Sequence, residues 1–361
     1  MRAPSILYIL KEYPQISQTY IEAELRALED SYDVTIVTRR GPDIAFSEHH
    51  PYRTAAEPDE LQAVIDEVRP DIIHTHYLDM LHVVGPLAER NGLPFTVRSH
   101  SYDTLALRPK SVPARIRERL PRVPRPLGRA PHFREGLRWL QSDLCLGVLG
   151  FPYSRPWLED AGAPADKLID SFPVIDVSRF EDHGPNGDGV MNTGVATPKK
   201  KMGDFIDLAA RVPERDFRLY AMGYHVDQLA DENTRAGSPM EIVAPVAPSA
   251  MPAEYKRHEW LVYTADPELA TVGWPMAIAE AQASGVGVLM PDIRPDLAQY
   301  VGDAGYLYRS LDEAAELVRG PVPPEIREAG FAQARRSDIR ANRHLLTDLW
   351  DRVAAPSDQT V

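Results

Sequence analysis

The stretch TVGWPMAIAEAQASGVGV, Thr271 to Val288, carries one ionisable side chain, Glu280, on an alanine-rich run introduced by Gly-Trp-Pro. Pro275 suits a first helical residue, Met276 to Ser284 is good helix-forming material and Gly285 is a natural stop, so the spacing predicts a loop, a helix and a strand. Residues three and four apart stack along a helix, which sets Glu280 on one face with Ala277, Ala281 and Ser284, a small surface that a partner can approach. Gly273 leaves the backbone open to an anion, and the helix N-terminus offers its positive end to a phosphate or a sugar hydroxyl. Glu280 is suited to accept hydrogen bonds from a diol. Read alone, it is equally a satisfied structural glutamate beside a tight turn. His74 and His76 alternate by two on a strand and point to one face, a start toward a metal site; with no cysteine, further histidine or carboxylate at ligand spacing, no metal is expected. No GxSxG, HExxH or CxxC pattern occurs.

Short apolar strands separated by helices position these residues. SILYIL, DVTIVT, DIIHTH, PFTVRSH and LCLGVLG alternate with helices near Ser17–Glu29, Asp59–Val68 and Asp79–Arg90. After a polar, glycine-rich stretch, VMNTGV, FRLYAMG, EIVAPVA, WLVYTA and GYLYRS repeat the alternation. Strand and helix in turn predict parallel βαβ units, and thus an α/β chain of two doubly wound, Rossmann-like domains facing a central cleft. The expected boundaries are 1–180 for the first domain, 181–189 for a linker and 190–337 for the second, with a terminal helix, 338–361, packing back on the first.

A length of 361 residues suits two domains, each able to bury a core. With 43% apolar and 26% charged residues the composition is that of a soluble protein, and no stretch approaches the ~20 apolar residues of a membrane span. The N-terminus reads as a strand rather than an export signal, and the single cysteine, Cys145, as a buried thiol, which together suit a cytoplasmic location. A net charge of −13 argues against nucleic acid as a partner. Arg108 to Arg138 breaks the pattern, with ten basic residues against two acidic ones and six prolines. It reads as an exposed loop, or as a basic surface for anionic lipid or a phosphate-bearing acceptor, which would add membrane association.

VGWPMAIAEAQASGVGVLMPD resembles the donor motif EGFGLPxxEAMAxGxPVVAS of retaining glycosyltransferases of the GT-B fold, family 4. Other segments resemble that family in order: YPQISQTYIEAEL its FPxxSETFIxxEI branch, RSHSYD its HGxD segment, SFPVIDVSRF its VPNGVDxxRF run and TGVATPKKKMGDFIDLAARV its GRLxxxKGxxxLIxA loop. The likeness covers nearly the whole chain apart from the basic insert. It implies transfer of a sugar from a nucleotide diphosphate sugar to a hydroxyl acceptor, lipid-linked or phosphate-bearing among the options, in polysaccharide or glycoconjugate assembly, with no cofactor and no metal.

By the same resemblance, Glu280 matches the glutamate that binds the ribose hydroxyls. Lys200 matches the lysine that neutralises the donor diphosphate, or Lys201 does if the extra loop residue shifts the register; three consecutive lysines are otherwise a solvated turn. Gly194 admits the diphosphate and Gly223 the nucleoside. His100 matches the histidine near the reacting centre, with a core histidine as the competing reading, and Gln18, Arg98 and Asp103 are its neighbours on the acceptor side. Val272 stands where the family has a carboxylate contacting the sugar, and Val195 where it has an arginine. Sugar recognition then falls to the backbone of Gly273 and Trp274 or to Glu268, or is lost, which leaves a nucleotide-sugar binding protein without turnover as the alternative. A sugar-nucleotide epimerase of the same architecture is a further one.

Overall fold

Thirteen short strands, most of them apolar runs bounded by polar or turn residues, form two parallel sheets in the computed structural model, which describes residues 3–42, 49–108, 131–223, 225–268 and 272–354. The first unit comprises Met1–Phe172 with Asn342–Val361. Its strands are β1 (Ser5–Leu10), β2 (Asp33–Thr38), β3 (Arg53–Thr54), β4 (Ile72–His76), β5 (Phe95–Arg98), β6 (Cys145–Gly150) and β7 (Leu168–Asp170), in the order β3-β2-β1-β4-β5-β6-β7. Every residue of β1, β4 and β5 is buried, as expected of central parallel strands covered by helices on both faces. The register sets Tyr8 beside His74 and His76 beside Arg98.

The second unit is Pro173–Ala341. It contains β8 (Gly189–Val195), β9 (Phe217–Met222), β10 (Glu241–Val243), β11 (His258–Val262), β12 (Gly287–Pro291) and β13 (Gly305–Tyr308), in the order β10-β9-β8-β11-β12-β13. Phe205, Phe217, Leu219, Trp260, Val262 and Leu289 lie in its core. In each unit the first strand has its successors on one side and the later strands on the other. The direction of winding reverses between β1 and β4, and again between β8 and β11. Such reversals open a crevice at the carboxyl ends of the strands, where ligands bind in α/β sheets.

The division between units falls at Phe172/Pro173, ahead of the expected linker at 181–189. Val174, Ile175, Val177 and Phe180 are buried, and Ile175 bridges to Asp338. The polar stretch itself is fastened down: Lys256 Nζ donates to the carbonyls of Asp182 and Gly184 and to Asn186 Oδ1, and Arg327 donates to His183 O and Asn186 Oδ1. Polar composition signals a linker only when the polar groups are left to water. At the other end of the chain the helix His344–Ala354 belongs to the first unit, with Trp350 fully buried against Tyr8, Tyr32 and His74. Most of the basic stretch, 109–130, lies outside the described residues, as do 355–361. Among the described residues no helix is long and apolar enough to cross a membrane.

Candidate functional site

The loop after β8 gathers the cationic part of the second unit. Gly194 adopts φ +129°, and a Cβ there would fall 2.0 Å from Lys200 Nζ, so glycine is needed for conformation and for space alike. Thr197 leads into a single 3-10 turn, Pro198–Lys200, which reverses the chain before the helix Gly203–Arg211. The turn separates the three lysines. Lys199 holds the next loop through its carbonyl, which accepts from Asp266 N at 2.9 Å. Lys201, exposed and in left-handed conformation, pairs with Asp204 at 3.1 Å. Lys200 turns inward, its Nζ 5.4 Å from the centroid of the Tyr263 ring just beyond β11. Its ammonium has no hydrogen bond or ion pair among the described residues. Burial, and then the neighbouring Lys199 charge, push its pKa down to about 7. On the adjacent strand Gly223, at φ +95°, directly follows β9, and a Cβ there would sit 3.0 Å from Val195 Cγ1.

The Gly-Trp-Pro loop leads into a helix, Met276–Ala283, with Pro275 as N-cap rather than first helical residue and Gly285 just past the end at φ +71°. Pro275 supplies no capping side chain, so the first turn keeps the unshielded N–H groups that favour an anion. Trp274 is buried, stacked on Tyr300 at 4.9 Å, and donates to Asp296 at 3.0 Å. Its side chain therefore anchors the loop. Arg294 holds the same loop by donating to the Val272 carbonyl and to Asp296. Gly273 and Val272 are buried. Glu280 accepts the Tyr255 hydroxyl on Oε2 at 2.7 Å, and Oε1 has no partner among the described residues. Burial raises its pKa, opposed by Tyr255 and by the charge of Arg179.

A cavity of about 690 Å³ lies between Gly203–Arg211 and Val226–Arg235. Lys201 lines it and Lys200 does not, and Asp204, Asp207 and Glu232 make it a poor place for phosphate.

In the first unit the residues around His100 form a buried polar cluster. Glu24, on the helix Thr19–Leu28, is 1% exposed. Its Oε1 accepts from Tyr8 at 2.9 Å and lies 3.2 Å from His76 Nε2 and 3.3 Å from His74 Nε2. Arg98 meets Oε2 at 2.6 and 2.8 Å and donates to Ser171 at 2.8 Å. The opposite charge and the imidazole hydrogen bonds outweigh burial and hold the Glu24 carboxyl well below its usual pKa. Burial pushes His74 down to about 4 and lowers His76. His100 Nε2 lies 3.0 Å from His76 Nδ1, and its pKa is well below the usual range through burial and then the charges of His76 and Arg98. Tyr20 and Tyr77 pack on the His100 ring at 4.6 and 4.5 Å, their hydroxyls 2.5 Å apart. Tyr77 sits at φ +74°, a strained conformation for an aromatic residue, fixed by its N–H on the Arg98 carbonyl.

Arg98 and Asp103, expected as acceptor-side contacts, have their polar atoms turned inward. Asp103 is fully buried and accepts from the N–H groups of Leu78, His100 and Thr104; burial nevertheless raises its pKa to about 7. Both residues shape the His100 loop. Gln18 donates to Glu12 O at 2.9 Å while its buried Oε1 has no partner. Sequence reasoning passed over Glu24, although YPQISQTYIEAEL contains it at the position of the branch's last glutamate; Tyr255 and Arg294 left no comparable signal.

No protein-family model matches the chain, and a search of curated proteins gave no match. Solved structures do share its fold. Anabaena HepE, in complex with UDP and glucose, superposes with a TM-score of 0.73 at 16% identity, over 96% of this chain and 99% of that one. Sucrose-phosphate synthase of Thermosynechococcus elongatus gives 0.72 at 14%, over 98% and 100%, and the lipopolysaccharide outer core galactosyltransferase WaaB 0.63 at 12%, over 96% and 99%.

Proposed function

We propose that the chain is a glycosyltransferase that moves a sugar from a nucleoside diphosphate sugar to a hydroxyl acceptor, with retention at the anomeric carbon, in polysaccharide or glycoconjugate assembly. One observation carries the reading: at the winding reversal of the second sheet, Lys200 presents an ammonium with no partner among the described residues directly over Gly194. A part-buried amine with a pKa near 7 gains little from its own surroundings and much from a diphosphate, which would hold it protonated. The charge that grows on the leaving diphosphate is then met by a group already in place, the usual main source of acceleration in such transfers. Glu280 Oε1 accepts from the ribose diol while Tyr255 fixes the other oxygen. Gly194 and Gly223 allow the phosphates and nucleoside to approach the backbone.

The backbone amides of Gly273 and Trp274 hold the donor sugar in this proposal, because Val272 and Val195 offer no polar atoms on their side chains. The acceptor is held near His100 and Gln18, and neither a metal nor another cofactor takes part. The HepE complexes contain UDP, which makes uridine the first base to test. We further assign the chain to the cytoplasm, with Arg108–Arg138 as a contact for anionic lipid or a phosphate-bearing acceptor. Thermal shift with UDP-, GDP-, ADP- and TDP-sugars, followed by donor consumption with and without acceptors, tests the reading. A raised melting temperature with one class and turnover supports it; no shift with any class removes it. Binding without turnover selects the second reading, a nucleotide-sugar binding protein, which the buried Val272 side chain favours.

A further inference from the structure

Glu24, His76 and His100 form a directed hydrogen-bond chain, and its direction follows from the acceptor-only carboxylate at one end and the Asp103 N–H at the other. Trp350 Nε1 donates to Thr96 Oγ1 at 3.0 Å, and the same hydroxyl lies 2.7 Å from His74 Nδ1. His74 Nε2 lies 3.3 Å from Glu24 Oε1 without forming a hydrogen bond to it. The Tyr8 hydroxyl proton goes to the same carboxylate oxygen. An ionised carboxylate only accepts, so His76 must also present Nε2–H to Glu24. That leaves His76 Nδ1 as an acceptor, and the only proton that fits between it and His100 is the one on His100 Nε2. The other His100 nitrogen, bare of a proton, faces the Asp103 N–H across a capping box.

We propose that Glu24, acting through His76, is the positioning carboxylate of His100, fixing its tautomer and ring orientation at the carboxyl end of β5. The proposal deepens the glycosyltransferase reading, on which any effect on turnover rests; the hydrogen-bond chain itself does not depend on it. The groups facing these rings are Tyr8 from β1, Tyr20 and Glu24 from Thr19–Leu28, His74 and Tyr77 from β4 and its end, Arg98 from β5, and Asp103 from Ser101–Leu107. Arg98 and Glu24 bear permanent charge near neutrality and offset each other, and Asp103, raised to about 7, is partly ionised there. Glu24, His74 and His76 also have ligand atoms within 4.8 Å of one another, a spacing open to a metal ion. Arg98 already supplies the countercharge, and a divalent ion would leave an excess of positive charge among side chains buried from solvent.

The decisive measurement is nitrogen-15 NMR of histidine-labelled wild-type protein from pH 8 to 5. His100 is expected to stay neutral throughout and His76 to be neutral at pH 8, each neutral ring protonated on Nε2. An Nδ1–H tautomer at His76, a His100 that titrates near its ordinary value of about 6.5, or a stoichiometric metal bound by Glu24 overturns the proposal. This readout needs no activity, so failure to find sugar transfer leaves it standing, and its failure leaves the donor site untouched. Two variants add a functional readout. His76→Phe removes the acceptor and is expected to lower kcat about tenfold or more at unchanged donor KM, with His100 in mixed tautomers. His76→Asn, whose amide oxygen takes the place of Nδ1, restores most of the loss; equal losses in the two variants count against the proposal.

Discussion

The two units differ in what their buried polar groups have for company. In the first, Glu24 is met by Tyr8, His74, His76 and Arg98, and Asp103 by three backbone N–H groups, so each buried carboxylate finds its countercharge or donors within the unit, although His74 Nε2 and Arg98 Nη2 make no hydrogen bond. In the second, Lys200 has no anion among the described residues and Glu280 keeps one carboxylate oxygen open. Satisfied clusters hold a shape, because breaking any link leaves a buried group unpaired. Groups left unsatisfied sacrifice some stability and gain the capacity to bind a ligand that completes them. On the proposed reading the histidine cluster is a scaffold around one ring, and the lysine loop the part that takes a ligand.

Substitutions separate the two behaviours. Arg98→Met strands the Glu24 carboxylate and should cost about 3–5 kcal/mol in urea unfolding, a purely structural effect. A loss below about 1 kcal/mol would show the first cluster to be less closed than its distances imply. Lys200→Ala should do the reverse, leaving stability unchanged or raised while turnover falls about 10²–10³-fold, roughly 3–4 kcal/mol of lost charge stabilisation. At pH 8 calorimetry of UDP binding in buffers of different ionisation enthalpy should show proton uptake in the parent protein and none in this variant, since the amine starts largely neutral. Equal uptake in both would assign the proton to another group.

Acid sharpens the contrast. His74 has a folded-state pKa of about 4, below the ~6.5 of an unfolded chain, so its contribution is full above pH 6.5 and is lost as pH falls toward 4. The parent should therefore lose about 3 kcal/mol more than His74→Gln between pH 7.5 and 4. Asp103, raised to about 7, acts in the opposite sense, but it is present in both proteins and cancels in the difference. Parallel curves for the two proteins would contradict the assignment. The smallest effect is expected from Glu280→Gln: about tenfold weaker nucleotide binding, roughly 1.5 kcal/mol, for one weakened diol contact. An unchanged dissociation constant would remove the diol role.

Much of the fold was legible because hydrophobic patterning reports burial directly. SILYIL, DIIHTH and PFTVRSH are runs that only a covered parallel strand can bury, and the Met276–Ala283 helix ends one residue short of where its glycine predicts. The domain boundary was less legible, since 181–189 looks like solvent-exposed linker until Lys256 and Arg327, remote in sequence, supply its hydrogen bonds. Site residues divide along the same line. Gly194 and Gly223 announce themselves, because a positive φ leaves few alternatives to glycine. Which of three adjacent lysines turns inward depends on one 3-10 turn and on Tyr263, neither of which the lysine run encodes.

By itself the sequence determined the α/β alternation and the residue types able to meet a diphosphate, a diol and a hydroxyl, since periodicity and side-chain chemistry are local properties. Tertiary structure alone decided that Arg98 and Asp103 turn inward, that Glu24 gathers two imidazoles and a guanidinium, and that Lys200 is left with no partner among the described residues. The reason is physical: whether a polar group is satisfied depends on donors and acceptors brought to it by other strands and helices, such as Trp350 on Thr96 across 254 positions of chain.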